Sequence, residues 1–184
     1  MADGDAVLQA LLEALGPGSL PSLLELSLYD SQIGPASAEA LAFAIRRGKL
    51  PKLVRLDLRN NPLLGSQGVA VLAPALRMQP ALEDLDLAFC AIDDEGVGSL
   101  LAGLGKDDFK ALTTLELEGN LLTDVGCAKL VAALNAGAMP NVTSLYSIEQ
   151  AALISEDASE EACAAVDAAL DARRRSRAAE AALH

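Results

Sequence analysis

Aromatic residues are scarce in this sequence. Its 184 residues include three Phe, two Tyr and no Trp, although 52% of the residues are hydrophobic. The core must therefore be built from aliphatic side chains, chiefly from the 35 Leu and 35 Ala residues. This hydrophobic fraction is enough to bury a substantial core, which argues against global disorder. A single domain is expected at this length.

Histidine and cysteine are also rare, which disfavours a metal site. The only histidine is His184, and the three cysteines, Cys90, Cys127 and Cys163, form no Cys-x-x-Cys pair. An odd number of cysteines without paired spacing is typical of reduced thiols in a cytosol-like compartment. We therefore expect no metal and no other cofactor.

Acidic residues outnumber basic residues, and the sequence contains no long apolar run. Fourteen Lys and Arg residues stand against 26 Asp and Glu residues, so the formal net charge is −12. Gripping nucleic-acid phosphates needs Lys and Arg surfaces, and a membrane span needs roughly 18 or more consecutive apolar residues. The N-terminal segment carries acids where a secretory signal would carry Lys or Arg. These features predict a cytoplasmic protein with no nucleic-acid partner and no membrane insertion.

A repeat of about 30 residues dominates what the sequence does contain. Four segments share the pattern L-x-x-L-x-L-x-x-(N/C)-x-L, and a fifth segment matches it weakly. They are LLELSLYDSQI (23–33), LVRLDLRNNPL (53–63), LEDLDLAFCAI (82–92), LTTLELEGNLL (112–122) and VTSLYSIEQAA (142–152). Their first residues are 30, 29, 30 and 30 positions apart. The pattern is the leucine-rich-repeat signature.

The first half of each repeat is predicted to be a short strand. The alternating L-x-L at its centre suits a strand with one buried face, so we expect Leu58 and Leu87 in the core. The N/C column follows the strand, where a small polar side chain can bond backbone groups that the turn leaves unpaired. We predict this role for Asn61 and Asn120, and we interpret Cys90 in the same column as a structural residue.

The second half of each repeat has helical spacing. Apolar or small residues recur every four positions, which places them on one helix face. Ser66, Asp94 and Asp124 are predicted to be N-caps of the helices in the second, third and fourth repeats. Pro74 falls inside the second helix and is expected to kink it or to mark a late start.

The two ends of the chain differ from the repeats, as terminal units of a solenoid must because one side faces water. Four leucines between residues 5 and 15 lie on one helix face and predict a capping helix within residues 1–19. Residues 20–154 are assigned to the repeats. A longer capping helix is predicted in residues 155–184, running from about Ser155 to Leu183.

A unit of this length with a strand, a turn and a full helix resembles the ribonuclease-inhibitor-like class of leucine-rich repeats. The stretches LRNNPLLGSQGVAVLAPAL (58–76) and LAFCAIDDEGVGSLLAGL (87–104) carry the resemblance, which covers about residues 6–170. It implies an α/β solenoid with a parallel concave sheet, outer helices and a role in binding other proteins. About five repeats would form only a short arc. No strand residue maps onto the GTPase-activating members, so no catalytic residue is transferred.

The strand side chains that point away from the core form the candidate binding surface, here called the concave face. Six of them are acidic and two are basic, a net charge of −4. This charge favours a basic protein partner, and the alternative is a solvated sheet on which the two arginines neutralise their neighbours. The candidate residues are Glu25, Tyr29, Arg55, Asp57, Arg59, Asp84, Asp86, Glu116, Glu118 and Tyr146.

Two other constellations have competing interpretations. The acids Asp84, Asp86, Glu116 and Glu118 could suggest carboxylate catalysis or a divalent metal, but an open face offers no desolvating cleft, so we expect no enzyme activity. The second is the sequence RRRSR near the C-terminus, which is either a site for an acidic partner or for nuclear localisation, or the solvated end of a helix. Its basic residues are Arg173, Arg174, Arg175 and Arg177.

The sequence thus predicts a non-catalytic protein-interaction module, an adaptor or a subunit of a larger assembly. Its partner is expected to present a basic surface to the concave face. Two alternatives stay open. One is a regulator of an enzyme, as a GTPase activator or an inhibitor. The other is an architectural cytoskeletal or ciliary subunit.

Overall fold

A computed structural model describes residues 4–14, 20–105, 108–145 and 158–182, and it confirms the α/β repeat arc. Four parallel strands form one sheet in the order β1-β2-β3-β4, and helices alternate with them. The elements are α1 (Gly4–Ala14), β1 (Glu25–Ser27), α2 (Pro35–Arg46), β2 (Arg55–Asp57), α3 (Gly65–Leu76), β3 (Asp84–Asp86), α4 (Asp94–Leu101), β4 (Thr114–Glu116), α5 (Asp124–Asn135) and α6 (Glu160–Ala181).

The sheet register follows the repeat register. Leu56 pairs with Leu26 on one side and with Leu85 on the other, as the alignment predicts. The fifth repeat continues the ladder, because the Leu117 N–H donates to the carbonyl of Leu145 over 3.1 Å. The remainder of that repeat, from residue 146 to residue 152, lies outside the described residues.

The core consists of stacked leucine columns. Leu58 and Leu87 are at most 1% exposed, which confirms their predicted burial. Leu26 and Leu28 belong to the same columns but are only partly buried. Leu26 lies on β1 and Leu28 follows it directly. Strand β1 is the edge strand of the sheet and has no strand on its other side in the described part of the chain.

The asparagine column links neighbouring repeats, as predicted. The Asn120 Oδ1 atom accepts from the N–H groups of Cys90 and Ile92, and its Nδ2 atom donates to the carbonyls of Leu87 and Leu117. Asn61 repeats this arrangement two units earlier. Both side chains are at most 3% exposed. Each satisfies four backbone groups that the turn would otherwise leave unpaired inside the core.

Cys90 takes the place of asparagine in the third repeat and is fully buried. Its Sγ atom lies 3.1 Å from the carbonyl oxygen of Leu58, to which the thiol donates. This contact agrees with its interpretation as a structural residue.

The predicted helix caps are wrong by one residue in two repeats. The cap of α4 is Asp93, whose carboxylate accepts from the N–H groups of Glu95 and Gly96, and the cap of α5 is Thr123. Asp94 instead binds the next repeat, accepting from both the backbone N–H and the hydroxyl of Thr123. The acid after each cap thus joins consecutive units rather than closing its own helix.

The second repeat also departs from the alignment. Leu64 is fully buried where the signature places Leu63, which is 62% exposed. Leu64 occupies the N-cap position of α3, and the helix has no side-chain cap. Ser66, the predicted cap, lies inside the helix. The helix runs through Pro74 without a late start, because Pro74 is near its C-terminal end and on its exposed side.

The C-terminal helix α6 packs along α5 and covers the last repeat. It begins at Glu160, later than the sequence indicates, because the Ser159 hydroxyl caps it by accepting from the Ala162 N–H. Val166 and Leu170 are completely buried against the repeats. Across the described residues, no helix combines the length and apolarity that crossing a bilayer requires.

Candidate functional site

The concave face is assembled as the repeat register predicts. Strand pairing aligns Glu25 with Arg55, and Arg55 with Asp84. The next column aligns Asp57 with Asp86, and Asp86 with Glu116. Nine of the ten candidate residues lie in the described part of the chain, and Tyr146 lies outside it. The parallel sheet therefore brings charges from separate repeats onto one surface.

Two arginines reach across to the neighbouring strand. The Arg55 Nε atom is 3.6 Å from an Asp84 carboxylate oxygen, and the Arg59 Nε atom is 4.0 Å from an Asp86 oxygen. Both arginine side chains are about half exposed, at 49% and 48%. Exposed ion pairs at such distances stabilise a fold by roughly 0–1 kcal/mol. The arginines thus compensate part of the negative charge and leave the face acidic.

An aromatic ring extends the face on the side of the first repeat. The Arg59 guanidinium lies 5.0 Å from the ring centre of Tyr29, within the range of a cation–π contact. Tyr29 is 50% exposed. Tyr and Arg are enriched among the residues that dominate binding energy at protein interfaces.

The acids surround a small hollow of about 150 Å³ that spans the second to fourth repeats. Its lining consists of Arg55, Arg59, Asp84, Asp86, Ala88, Phe89, Glu116 and Glu118. Asp86 forms part of the floor and is only 6% exposed. One of its oxygens accepts from the backbone N–H of Ala88 at 3.0 Å, which fixes the carboxylate in place.

Glu116 is the most perturbed acid of the hollow. Burial, together with the negative charges of Asp86, Asp84 and Glu118, raises its pKa to about 7. Its Oε2 atom is inaccessible to solvent and accepts no hydrogen bond from any residue that the structure describes. Burial also raises the pKa of Asp84 and of Asp86. The hollow therefore concentrates four carboxylates around only two arginines.

Phe89 is a contributor that the sequence analysis missed. It is 46% exposed at the rim of the hollow, and its backbone φ of 55° is left-handed. Its ring lies directly over Gly119, where a Cβ atom would come within 2.2 Å of the ring. The signal was an aromatic residue in a column that otherwise holds Asp30, Asn60 and Gly119, which are residue types that accept left-handed backbone.

The C-terminal arginines bind the chain's own backbone. Arg173 donates to the carbonyls of Leu134, Ala138 and Met139, at the end of α5 and just beyond it. In the same way, Arg174 donates to the carbonyl of Thr143 and Arg177 to that of Asn141. Arg175 is exposed. Three of the four residues of the alternative binding surface thus hold α6 against the fourth and fifth repeats.

The hollow is open, and among the described residues no group of three or more His, Cys, Asp or Glu side chains has the geometry to hold a metal ion. What it offers a ligand is an array of hydrogen-bond acceptors with a negative potential and an apolar rim.

Comparisons with known proteins support the architecture. The Leucine Rich repeat family model matches residues 49–73, 80–101 and 111–131, which span β2 to α5. No curated protein matches the sequence at a significant level. Among solved structures, the chain is similar to leiomodin-1 Actin-Binding Site 2, with 15% identity and a TM-score of 0.63 over 96% of this chain and 95% of that chain. The repeat signature, the sheet register and these two similarities show that the chain is built from leucine-rich repeats of the ribonuclease-inhibitor-like type.

Proposed function

We propose that the chain is a non-catalytic protein-binding module whose concave face binds a basic segment of another protein. The observation that carries the proposal is the hollow, in which Glu116 presents a buried carboxylate oxygen with no donor among the described residues. Leaving a charged acceptor unpaired in a desolvated position is costly. A Lys or Arg side chain entering the hollow would supply the missing donor.

The residues around Glu116 supply the rest of such a site. Glu118 provides a second acceptor at the lining, and Phe89 provides an apolar surface for the aliphatic stem of the entering side chain. Tyr29, with the Arg59 guanidinium over its ring, adds contact area beyond the hollow. The segment would therefore combine a basic anchor with neighbouring apolar side chains.

The charge of the face should also govern association kinetics. A negative surface attracts a basic partner over long range, so encounter is fast and slows as salt screens the charges. The net charge of −12 extends the same attraction over the whole molecule. We expect the association rate to fall steeply with ionic strength and the dissociation rate to change little.

The proposal is tested with an array of basic, acidic and neutral peptides of equal length. We expect the basic peptides to bind, and the tightest of them is called the selected basic peptide. Asp86→Lys combined with Glu116→Lys should weaken it by at least about thirtyfold, since losing a buried charge pair costs roughly 2–5 kcal/mol. Preferential binding of the acidic peptides would refute the proposal.

A matched control distinguishes the effect of the hollow on binding from the effect of the net charge. Glu39→Lys combined with Glu95→Lys changes the net charge by the same amount at exposed positions on α2 and α4. We expect the control to lower the association rate modestly and to keep most of the affinity. Equal losses in both double variants would show that the attraction is nonspecific.

Actin is a second candidate ligand, supported by the similarity to leiomodin-1 Actin-Binding Site 2 along nearly the whole of both chains. This likeness favours the cytoskeletal alternative over enzyme regulation. Co-sedimentation with filaments and titration of monomeric actin, each with wild type and with the Lys double variant, test it. Binding that survives the double reversal would place an actin contact away from the hollow.

A further inference from the structure

The helices α5 and α6 pack side by side and run in the same direction. Near their N-termini, an Asp124 carboxylate oxygen accepts from the Ser159 N–H at 2.7 Å. Toward their C-terminal ends, Arg173 donates to the carbonyl of Leu134. These two links fix the register of α6 against the fourth repeat along about three turns.

One turn beyond the first link, two cysteines lie at the same level of this interface. Cys127 is three residues after Asp124, Cys163 is four residues after Ser159, and both pack against the same hydrophobic core. Cys127 is 1% exposed, whereas Cys163 is only partly buried. Neither position is shared with the hollow on the opposite side of the repeats.

We propose that Cys127 and Cys163 form a redox-responsive pair, which hydrogen peroxide converts to a disulfide that tethers α6 to the fourth repeat. The Cys163 thiolate attacks one peroxide oxygen, the O–O bond breaks, and a sulfenic acid and hydroxide form. The Cys127 sulfur then attacks the Cys163 sulfur, the S–O bond breaks, and hydroxide leaves. Both thiol protons end on the two hydroxides, so two thiols and one peroxide give a disulfide and two waters.

The unequal environments of the two thiols fit these roles. Burial, with a smaller contribution from the neighbouring Cys163, raises the pKa of Cys127 to about 11, so Cys127 does not react first at neutral pH. Cys163 reaches solvent and meets the oxidant. Cys90 provides an internal reference, because burial raises its pKa to about 12 and its Sγ atom contacts backbone carbonyls.

The consequence of oxidation is a fixed C-terminal cap. In the reduced protein, α6 is held by its apolar face and by arginine hydrogen bonds. A disulfide prevents its N-terminal half from separating from α5, because it closes a loop through residues 128–162. The amide groups of α6 should then exchange with solvent at least tenfold more slowly than in the reduced protein.

The experiment treats the full chain with dilute hydrogen peroxide, alkylates the remaining thiols and maps the products by mass spectrometry. We expect an intramolecular Cys127–Cys163 link, a free Cys90 thiol and slower hydrogen exchange in α6. Cys163→Ser should abolish both changes. Cys127→Ala should leave a Cys163 sulfenic acid that dimedone traps, and dithiothreitol should reverse the wild-type changes.

Three outcomes would overturn the proposal. They are peroxide-treated protein in which both thiols remain alkylatable, oxidation of Cys163 to sulfinic acid with Cys127 still a free thiol, and disulfides that join two chains. Circular dichroism of each variant excludes misfolding, and Cys90→Ala should retain the Cys127–Cys163 link. Loss of peptide binding in the concave-face variants does not affect any of these readouts, so the two proposals fail separately.

Discussion

The two charged surfaces of this molecule use their charges in different ways. On the concave face, carboxylates outnumber arginines, and the nearest ion pairs are loose, at 3.6 Å and 4.0 Å. On α6, three arginines donate to five backbone carbonyls of the adjoining repeats. One surface thus presents uncompensated charge to solvent, whereas the other uses its charge to attach a terminal helix.

The difference shows that a run of charges in a sequence does not by itself define a binding surface. The arginines of α6 face the carbonyl end of α5 and the chain that follows it, where cations are favoured by the helix dipole and by unpaired acceptors. The acids of the sheet face other acids, because parallel repeats place equivalent positions side by side. Substitutions should therefore affect stability on α6 and binding on the concave face.

The largest expected effect concerns the core beneath the concave face. Leu87→Ala removes a side chain that is 1% exposed between neighbouring repeats, so it should lower the free energy of unfolding by about 2–5 kcal/mol. Urea denaturation measures this loss. A decrease below about 1 kcal/mol would place Leu87 outside a close-packed column and would undermine the register of the face.

The next largest effect should distinguish Arg173, which binds backbone carbonyls, from the exposed Arg175 on the same helix. Arg173→Ala removes a charged donor from three carbonyls, and hydrogen bonds to a charged group contribute about 1.5–3 kcal/mol. Arg175→Ala, at an exposed position of the same helix, is the matched control and should change stability by less than about 0.5 kcal/mol. Equal losses of stability for the two variants in thermal denaturation would show that the hydrogen bonds of Arg173 stabilise the protein no more than an exposed arginine does.

A smaller effect should follow from Glu116 and should depend on pH. Its folded-state pKa of about 7 lies above the ordinary value of 4.5, so the folded protein binds more protons here and stability falls as pH rises through that window. Glu116→Gln should stabilise the protein at pH 8 by about 1–2 kcal/mol, because solvent screening reduces the full effect. At pH 4 the two proteins should unfold alike.

The same titration should appear in binding. The affinity for the selected basic peptide should rise between pH 6 and 8 as Glu116 becomes charged, because the anion attracts the basic anchor more strongly than the neutral acid. Isothermal titration calorimetry at several pH values measures the change. A flat pH profile for wild type would show that Glu116 does not contact the peptide.

The smallest effect concerns the exposed ion pairs. Arg55→Ala should change the free energy of unfolding by no more than about 1 kcal/mol, as is usual for such pairs. It should also raise the pKa of Asp84 further, because the Arg55 charge lowers that pKa in wild type. Carboxylate NMR titration detects the shift, and an unchanged Asp84 pKa would mean that the pair does not form in solution.

The repeat signature was sufficient to predict the strands, the leucine columns and the asparagine contacts, because each depends on spacing that recurs every 29 or 30 residues. It misplaced Leu63, because the turn after β2 holds one extra residue, with seven positions from Asn61 to Gly68 against six from Cys90 to Gly96, so the buried position falls to Leu64. It also misplaced all three predicted caps. In α4, for example, Asp93 and Asp94 are adjacent acids, and only the backbone geometry decides which one caps the helix.

The position of the candidate site was predictable from the sequence, but the burial and hydrogen bonding of its residues were not. Register alone placed Asp86 and Glu116 side by side. Their burial, and the unpaired oxygen of Glu116, depend on how Phe89 and the arginines pack around them. The hydrogen bonds of the α6 arginines join residues 31 to 39 positions apart. No local sequence pattern predicts contacts at that separation.

The most direct test measures the affinity of the selected basic peptide for three proteins: wild type, the Asp86→Lys and Glu116→Lys double variant, and a chain lacking residues 173–184. Circular dichroism and analytical gel filtration establish that each protein is folded, since the truncation removes the arginines that hold α6. We expect the double variant to lose affinity by at least about thirtyfold and the truncated chain to bind as wild type does. Unchanged affinity in the double variant, together with lost affinity in the truncated chain, would contradict this expectation.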